Sequence, residues 1–190
     1  MGAFEHVISL LSFVYALAIA HLLTTVARLI GSRERVTFSW LHAYWMLNAL
    51  IVLVVDWISY WDIRSVSAWT FGSILIVLTQ SFVDYLQAAL VCPEIPQEGA
   101  IDLVAFHETR SRRYIGAFVA TTLSATLLNL YFGNAYNVSE YISQNAATIP
   151  LFLIALTAAL VRSKWVQIAA PVLLLAVWSY YLFELQTALK

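Results

Sequence analysis

Six long apolar segments, separated by short polar stretches, run along the 190 residues of the chain. A helix needs about 20 mostly apolar residues to cross a bilayer, because all its backbone groups must be satisfied internally. The pattern therefore predicts an all-α, polytopic transmembrane helix bundle of about six spans, forming a single domain over residues 1–190. The predicted spans are roughly Val7–Leu29, Trp40–Trp61, Ala68–Val91, Tyr114–Gly133, Tyr141–Val161 and Val166–Thr187. Asn145 and Pro150 interrupt the start of the fifth span, so we expect a short turn there.

The third apolar segment carries polar residues at steps of three and four, which places them on one helix face. These positions are Thr70, Ser73, Val77, Gln80, Asp84 and Gln87. The other faces of this segment are apolar. A carboxylate at the centre of a bilayer costs about 2.5–3.5 kcal/mol on insertion scales. The polar seam is therefore expected to face protein or water rather than lipid.

The first segment offers partners for this seam. His21, Thr25 and Arg28 share a helix face, and His21 lies at a similar depth to Asp84 when residues are counted along the two spans. Both spans run in the same direction, so we predict a buried His21–Asp84 pair with Arg28 deeper. Two interpretations stay open: the pair clamps two helices together, or it forms a functional site.

The basic residues predict an orientation through the positive-inside rule. Eight of the ten Lys and Arg fall on one side of the six predicted spans, and only Arg64 and Lys190 fall on the other. Both termini are therefore expected outside the cytoplasm. The cytoplasmic loop 93–113 is predicted to hold a short interfacial helix, capped by Asp102 and running through Glu108. Its arginines are expected to contact anionic lipid, with a regulatory or docking loop as the alternative.

Further polar residues lie along the other spans. Asp56 and Glu184 fall near the outer ends of the second and sixth spans, and Asn48 and Asn129 lie within the second and fourth. One interpretation is that the two acids simply reach headgroups or water. The other is that, with the Asp84 seam, they line an ion or proton pathway.

Composition narrows the function classes. Hydrophobic residues make up 62% and charged residues 11%, which is typical of an integral membrane protein. The net charge of -1 and the scattered basic residues give no case for nucleic acid as a partner. Membrane lipid is the expected partner, and a homo-oligomer or a membrane complex is plausible for so small a bundle. The single Cys92 forms no intramolecular disulfide and matches no metal motif.

No sequence motif indicates catalysis or a cofactor. The chain has neither GxSxG nor HExxH, so we expect no enzymatic activity and no catalytic residue. Haem ligation by two histidines requires equal depth on facing helices, and counting along the helices puts His42 about 10 Å from the depth of His21. His6 and His107 are expected outside the core. We therefore predict no cofactor and no metal site.

A series of residues, many of them aromatic or charged, extends through the middle half of the chain. In order they are Trp57, Trp61-Asp62-Ile63-Arg64, Trp69-Thr70-Phe71, Ala88-Ala89-Leu90, Pro93, Ile101-Asp102-Leu103, His107 and Arg112-Arg113. This order resembles that of a group of small bacterial multispan proteins of unassigned function. The resemblance implies a six-helix protein of the bacterial inner membrane, and it implies no activity, cofactor or catalytic residue.

Two functions of different kinds follow from the sequence. The first is a small transporter or channel for protons or cations that uses the Asp84/His21 seam, since buried ionisable groups in membranes often mark ion paths. The second is a structural, accessory or sensor subunit of a membrane complex, in which the same residues only hold helices together.

Overall fold

The computed structural model describes residues 2–66, 68–133 and 136–188, without the side chains of Ala3 and of residues 184–188. The described part is almost entirely helical, with a two-residue strand in each of two loops. The α-helices are α1 (Ala3–Gly31), α2 (Trp40–Ser59), α3 (Phe71–Val91), α4 (Leu103–Phe132), α5 (Val138–Gln144), α6 (Thr148–Leu160) and α7 (Lys164–Ala188). The strands are β1 (Val36–Thr37) and β2 (Ile101–Asp102), and a 3-10 helix at Tyr60–Ser65 extends α2.

The helices have the length and surface of membrane spans. Five are long and apolar enough to cross a membrane, and the bent pair α5 and α6 makes a sixth if it counts as one span. Large apolar side chains point away from the bundle, with Phe13 63%, Leu130 60% and Phe183 64% exposed. Lipid solvates such a surface, whereas water does not. The predicted all-α bundle is thus confirmed as a set of five or six apolar helices.

The break in the predicted fifth span is confirmed. α5 and α6 meet at an angle of 76° across Asn145–Ala147. The Asn145 N–H closes the last turn of α5 by donating to the carbonyls of Tyr141 and Ile142. Pro150 lies in the first turn of α6, where its missing N–H removes no helical hydrogen bond.

The prediction of a separate interfacial helix in loop 93–113 is wrong. Asp102 does cap a helix, because its Oδ1 accepts the N–H groups of Val104 and Ala105 at 2.9 Å each. That helix is α4, which continues without a break from Leu103 to Phe132. No Pro or Gly lies between Glu108 and Tyr114 to end it, so the basic segment becomes the first turns of the long helix.

Two loops are joined at the end of the bundle that carries Arg28, Arg110 and Arg113, which we call the arginine side. β1 pairs in parallel with β2, linking the α1–α2 loop to the α3–α4 loop. Arg35 Nη1 donates to the carbonyls of Gln97 (3.1 Å) and Gly99 (3.0 Å). Gly99 has φ +97°, a value that L side chains rarely adopt. These contacts fix where α3 ends and where α4 begins.

α3 occupies the centre of the bundle and packs against α1, α2 and α4, while α7 packs on α2 and α6. The largest fully buried side chains are aromatic: Trp45, Tyr15, Tyr114 and Phe118. The polar seam of α3 faces the neighbouring helices, whereas Phe82 and Leu86 on its other side are more than half exposed. The buried positions Ser73, Val77, Gln80, Asp84 and Gln87 confirm the predicted seam, except at Thr70, which is the exposed N-cap of α3.

Candidate functional site

Two aspartates, the buried Asp84 and the half-buried Asp56, meet at the middle of the bundle. Gln80 Nε2 donates to Asp56 Oδ2 and to Asp84 Oδ1, at 3.0 Å in each case. Because one amide nitrogen reaches both side chains, the two carboxyl groups lie close together. Two carboxylates held this close repel each other, and protonation of one of them removes the repulsion. The arrangement therefore favours a single proton on the pair.

Two tyrosines complete this group, which we call the acid cluster: Tyr15, Asp56, Tyr60, Gln80 and Asp84. The Tyr15 hydroxyl donates to Asp84 Oδ2 at 2.5 Å. The Tyr60 hydroxyl donates to the carbonyl of Val77 at 3.2 Å, and its oxygen lies 3.5 Å from Tyr15 Oη. Each hydroxyl has one proton to donate, and Tyr15 donates its proton to Asp84 while Tyr60 donates to Val77. The ring of Tyr60 packs edge-on against the ring of Tyr15.

Periodicity explains how the local sequence delivers these side chains. On α3, Gln80 and Asp84 are one turn apart on the seam. On α1, residues spaced by three and four form a buried face, namely Val7, Leu11, Tyr15, Ala18, Leu22 and Thr25. Tyr15 lies on that face and is 2% exposed. Asp56 follows the buried Val52 and Val55 on α2, which turns its side chain toward α3.

A cavity of about 700 Å³ connects the acid cluster with the end of the bundle opposite the arginine side. We call it the acidic cavity. It lies between α2, α4, α7 and the break between α5 and α6. Asp56 and Gln80 line its inner part, and Asp62 and Gln144 line it farther out. Asp84 is 0% exposed and lies behind Gln80. Solvent in this cavity thus reaches Asp56 first and Asp84 only through Asp56 or Gln80.

The acid cluster has no positive partner among the described residues. Its two carboxyl groups accept hydrogen bonds from Tyr15 and Gln80, and no Lys, Arg or His forms an ion pair with them there. Two adjacent carboxylates without a cation repel each other and lose hydration. The described contacts therefore suit one proton, or one monovalent cation, held between the two carboxyl groups.

The predicted His21–Asp84 pair is wrong, because Asp84 is bound by Tyr15 and His21 lies elsewhere. Tyr15 and His21 are six residues apart, and His21 falls outside the buried face of α1, so its ring is exposed. His21 and Arg28 line a different cavity of about 810 Å³ on the arginine side. We call it the arginine cavity.

The position of Asp56 differs from that expected under one of the two sequence-based interpretations of this residue. Instead of reaching headgroups or water on the outer surface, it turns inward to Gln80 and Asp84. Asn129 lines the acidic cavity and donates to Asn145 Oδ1 at 2.9 Å, which ties α4 to the break after α5. The side chain of Glu184 lies outside the described residues.

Besides Asp84, two of the predicted pathway residues line neither cavity. Asn48 Nδ2 donates to the carbonyls of Tyr44 (2.8 Å) and Pro171 (3.1 Å), so this residue links α2 to α7. Gln87 is 2% exposed, and its Oε1 has no hydrogen-bond partner among the described residues. Both therefore act as interior helix contacts rather than cavity walls.

Sequence reasoning missed Tyr15 and Tyr60. Tyr15 had a usable signal, since it lies on the regular apolar face of α1. Tyr60 had none, because it follows the last α-helical residue of α2. His107 was expected outside the core, yet it is 7% exposed and hydrogen-bonds to Tyr114 through Nδ1. It lies within α4, because that helix starts earlier than predicted.

No known protein family, curated protein or solved structure matches the chain. The resemblance to small bacterial multispan proteins stays a prediction.

Proposed function

We propose that this chain is a small integral membrane transport protein in which the Asp56–Asp84 pair binds and releases a proton. One observation carries the proposal. Two carboxyl groups that share the Gln80 amide as donor lie at the inner end of a cavity of about 700 Å³ that leads to one end of the bundle. Ionisable groups inside a membrane bundle are costly unless they are neutralised, and they commonly mark proton or ion paths.

The contacts support a two-step route for the proton. A proton from the acidic cavity first meets Asp56, which lines the cavity, and is then shared with Asp84, which does not. Gln80 donates to both carboxyl groups, so it holds them together in either protonation state. The Tyr15 hydroxyl stabilises negative charge on Asp84 Oδ2 when the proton leaves.

The route is closed toward the arginine side. Beyond Asp84 in that direction, Ala18 and Leu22 of α1 and Val91 of α3 are each at most 2% exposed. A packed apolar layer next to an open cavity is the arrangement of a transporter accessible from one side. Transport would require these residues to separate while the acidic cavity closes.

The proposal extends to the placement of the protein. By the positive-inside rule, the arginine side faces the cytoplasm and the acidic cavity opens on the outer face, with both termini outside. We place the protein in the inner membrane of a bacterium, with six spans if α5 and α6 together make one. A homo-oligomer or a membrane complex suits a bundle of this size.

The test is proton flux in proteoliposomes loaded with a pH-sensitive dye. We expect the Asp84→Asn and Asp56→Asn variants to fall to the rate of protein-free liposomes, because an amide cannot bind and release the proton. Asp62→Asn is the matched control, since Asp62 lines the same cavity but lies outside the acid cluster. Equal flux in wild type and Asp84→Asn would overturn the proposal. Flux that follows a Na⁺ or K⁺ gradient without a pH change would replace the proton by a cation.

A structural or accessory subunit is the second candidate, favoured by one observation. Asp84 is 0% exposed and accepts hydrogen bonds from Tyr15 on α1 and Gln80 on α3, as a clamp between helices requires. Under this alternative, Asp84→Asn lowers the thermal stability of the purified protein, and neither wild type nor variant conducts protons. Measuring both properties on the same preparations separates the two functions.

A further inference from the structure

The arginine cavity lies at the other end of the bundle from the acid cluster. It has a volume of about 810 Å³ and is formed by the last turns of α1, the end of α3 and its following loop, and the first turns of α4. Volumes of 300–1,000 Å³ are usual for small-molecule sites. The cavity is therefore large enough for a polar headgroup.

Basic side chains outnumber acidic ones in the lining of the arginine cavity. Arg28 reaches it from α1, and Arg110 and Arg113, three residues apart, reach it from one face of α4. Glu94 is the single acidic residue in its lining, so three guanidinium groups face one carboxylate. None of the three guanidinium groups forms a hydrogen bond or an ion pair within the described part of the chain. An anion is the ligand that this lining attracts.

Arginine favours one class of anion. The guanidinium group is always charged, and its planar set of donors matches phosphate oxygens. Cys92, which also lines the cavity, adds no competing negative charge. Burial raises the pKa of its thiol, although the neighbouring Thr25 side chain lowers it. The thiol is neutral near pH 7, so the cavity stays positive.

The same cavity has apolar walls. Leu90, Ile95 and Phe106 line it beside the arginines, and Leu90 is 40% exposed. A free inorganic phosphate has no apolar part to contact these side chains. A phospholipid has one, because the methylenes of its acyl chains are apolar. Basic pockets between spanning helices on the cytoplasmic side commonly hold anionic headgroups.

From these contacts we propose that the arginine cavity is a binding site for the phosphate headgroup of an anionic phospholipid. The guanidinium groups of Arg28, Arg110 and Arg113 hold the phosphate, and Leu90 and Phe106 contact the apolar part of the lipid. This inference is independent of the proposed transport activity, since it uses other residues at the opposite end of the bundle.

The experiment measures Tm of the delipidated protein in neutral detergent with three additions: phosphatidylglycerol, phosphatidylcholine or inorganic phosphate. We expect phosphatidylglycerol to raise Tm by about 5 °C at saturation, as specific ligands do for chains of this size. The triple variant Arg28→Gln/Arg110→Gln/Arg113→Gln should lose the shift. The matched control Arg33→Gln/Arg112→Gln/Arg162→Gln removes the same charge from the same side without touching the cavity and should keep it.

A second measurement needs no variant. Cys92 is the only cysteine in the chain, so alkylation reports on the cavity directly. Phosphatidylglycerol should slow the modification of Cys92 in the wild-type protein, and phosphatidylcholine should not. Equal effects of the two lipids, or equal loss of the shift in both triple variants, would refute a specific site. A shift with inorganic phosphate as large as with phosphatidylglycerol would refute the lipid and leave a simple anion site.

Discussion

The acidic cavity and the arginine cavity have similar volumes and opposite organisation. In the acidic cavity, charge is concentrated at the inner end, where Gln80 donates hydrogen bonds to both Asp56 and Asp84. In the arginine cavity, charge is carried by exposed side chains that form no hydrogen bond to the described protein. A buried charge must be neutralised within the protein, whereas an exposed cation can be neutralised by an anion from outside the protein. The first arrangement suits a proton site and the second a ligand site.

The different lengths of α1 and α3 create the second cavity. At 1.5 Å per residue, α1 rises about 24 Å from Tyr15 to its end at Gly31, and α3 rises about 11 Å from Asp84 to its end at Val91. Since Tyr15 and Asp84 are in contact, α1 continues about 13 Å beyond the end of α3. Arg28 lies on this extension, and the space beyond α3 is the arginine cavity.

The largest effect on stability should come from Gln80, the shared donor of the acid cluster. Gln80→Leu leaves the buried carboxyl group of Asp84 and the half-buried one of Asp56 without this donor and should lower the free energy of unfolding by about 2–3 kcal/mol. Gln87→Leu is the same change on the same seam, but Gln87 Oε1 has no partner in the described structure, so it should change stability by less than about 0.5 kcal/mol. Denaturation in mixed micelles measures both. Equal losses of stability would show that removing the Gln80 donor costs no more free energy than removing another amide on the seam.

A smaller effect should separate the observed partner of Asp84 from the predicted one. Tyr15→Phe removes the hydroxyl that donates to Asp84 and should cost about 1.5 kcal/mol, a usual value for a hydrogen bond to a charged group. His21→Gln, at the edge of the arginine cavity, should be neutral within about 0.5 kcal/mol, as exposed substitutions are. The same titration measures both variants. A greater loss of stability for His21→Gln than for Tyr15→Phe would support the His21–Asp84 pair that the sequence predicts.

The smallest effect concerns the Cys92 thiol in the arginine cavity. Burial raises the pKa of this thiol, and only the thiolate reacts with iodoacetamide. The alkylation rate should therefore rise with pH through a midpoint above that of a free cysteine measured in the same detergent. A midpoint below the free value would mean that the nearby guanidinium groups outweigh burial, and that the cavity is more positive than its exposed side chains indicate.

Much of the fold could be read from the sequence. Hydrophobic length gave the helices, the three-and-four spacing gave the seam on α3, and Asn145 with Pro150 gave the break between α5 and α6. These features depend on residues close together in the chain. The site was only half predicted: Asp84, Gln80 and Asp56 were candidates, but the partner Tyr15 was missed and His21 was chosen instead.

The error has a geometric cause. Matching depths by counting residues assumes that neighbouring helices end at the same level. Counted from the arginine side, Asp56 and Asp84 should differ by about 13 Å in depth at 1.5 Å per residue, yet Gln80 Nε2 donates to both of them. Offset and tilt of α1, α2 and α3 are set by packing and by the β1–β2 link, which no local pattern contains.

The sequence by itself determined which residues are apolar enough to form spans and which face of α3 is polar, because both follow from composition and helical periodicity. Only the tertiary structure decided which groups meet. The early end of α3 at Val91 left room for the arginine cavity. The axial offset of α1, α2 and α3 brought Tyr15, Asp56, Gln80 and Asp84 into one hydrogen-bonded cluster. Such contacts join residues up to 69 positions apart, and they exist only once the helices have packed.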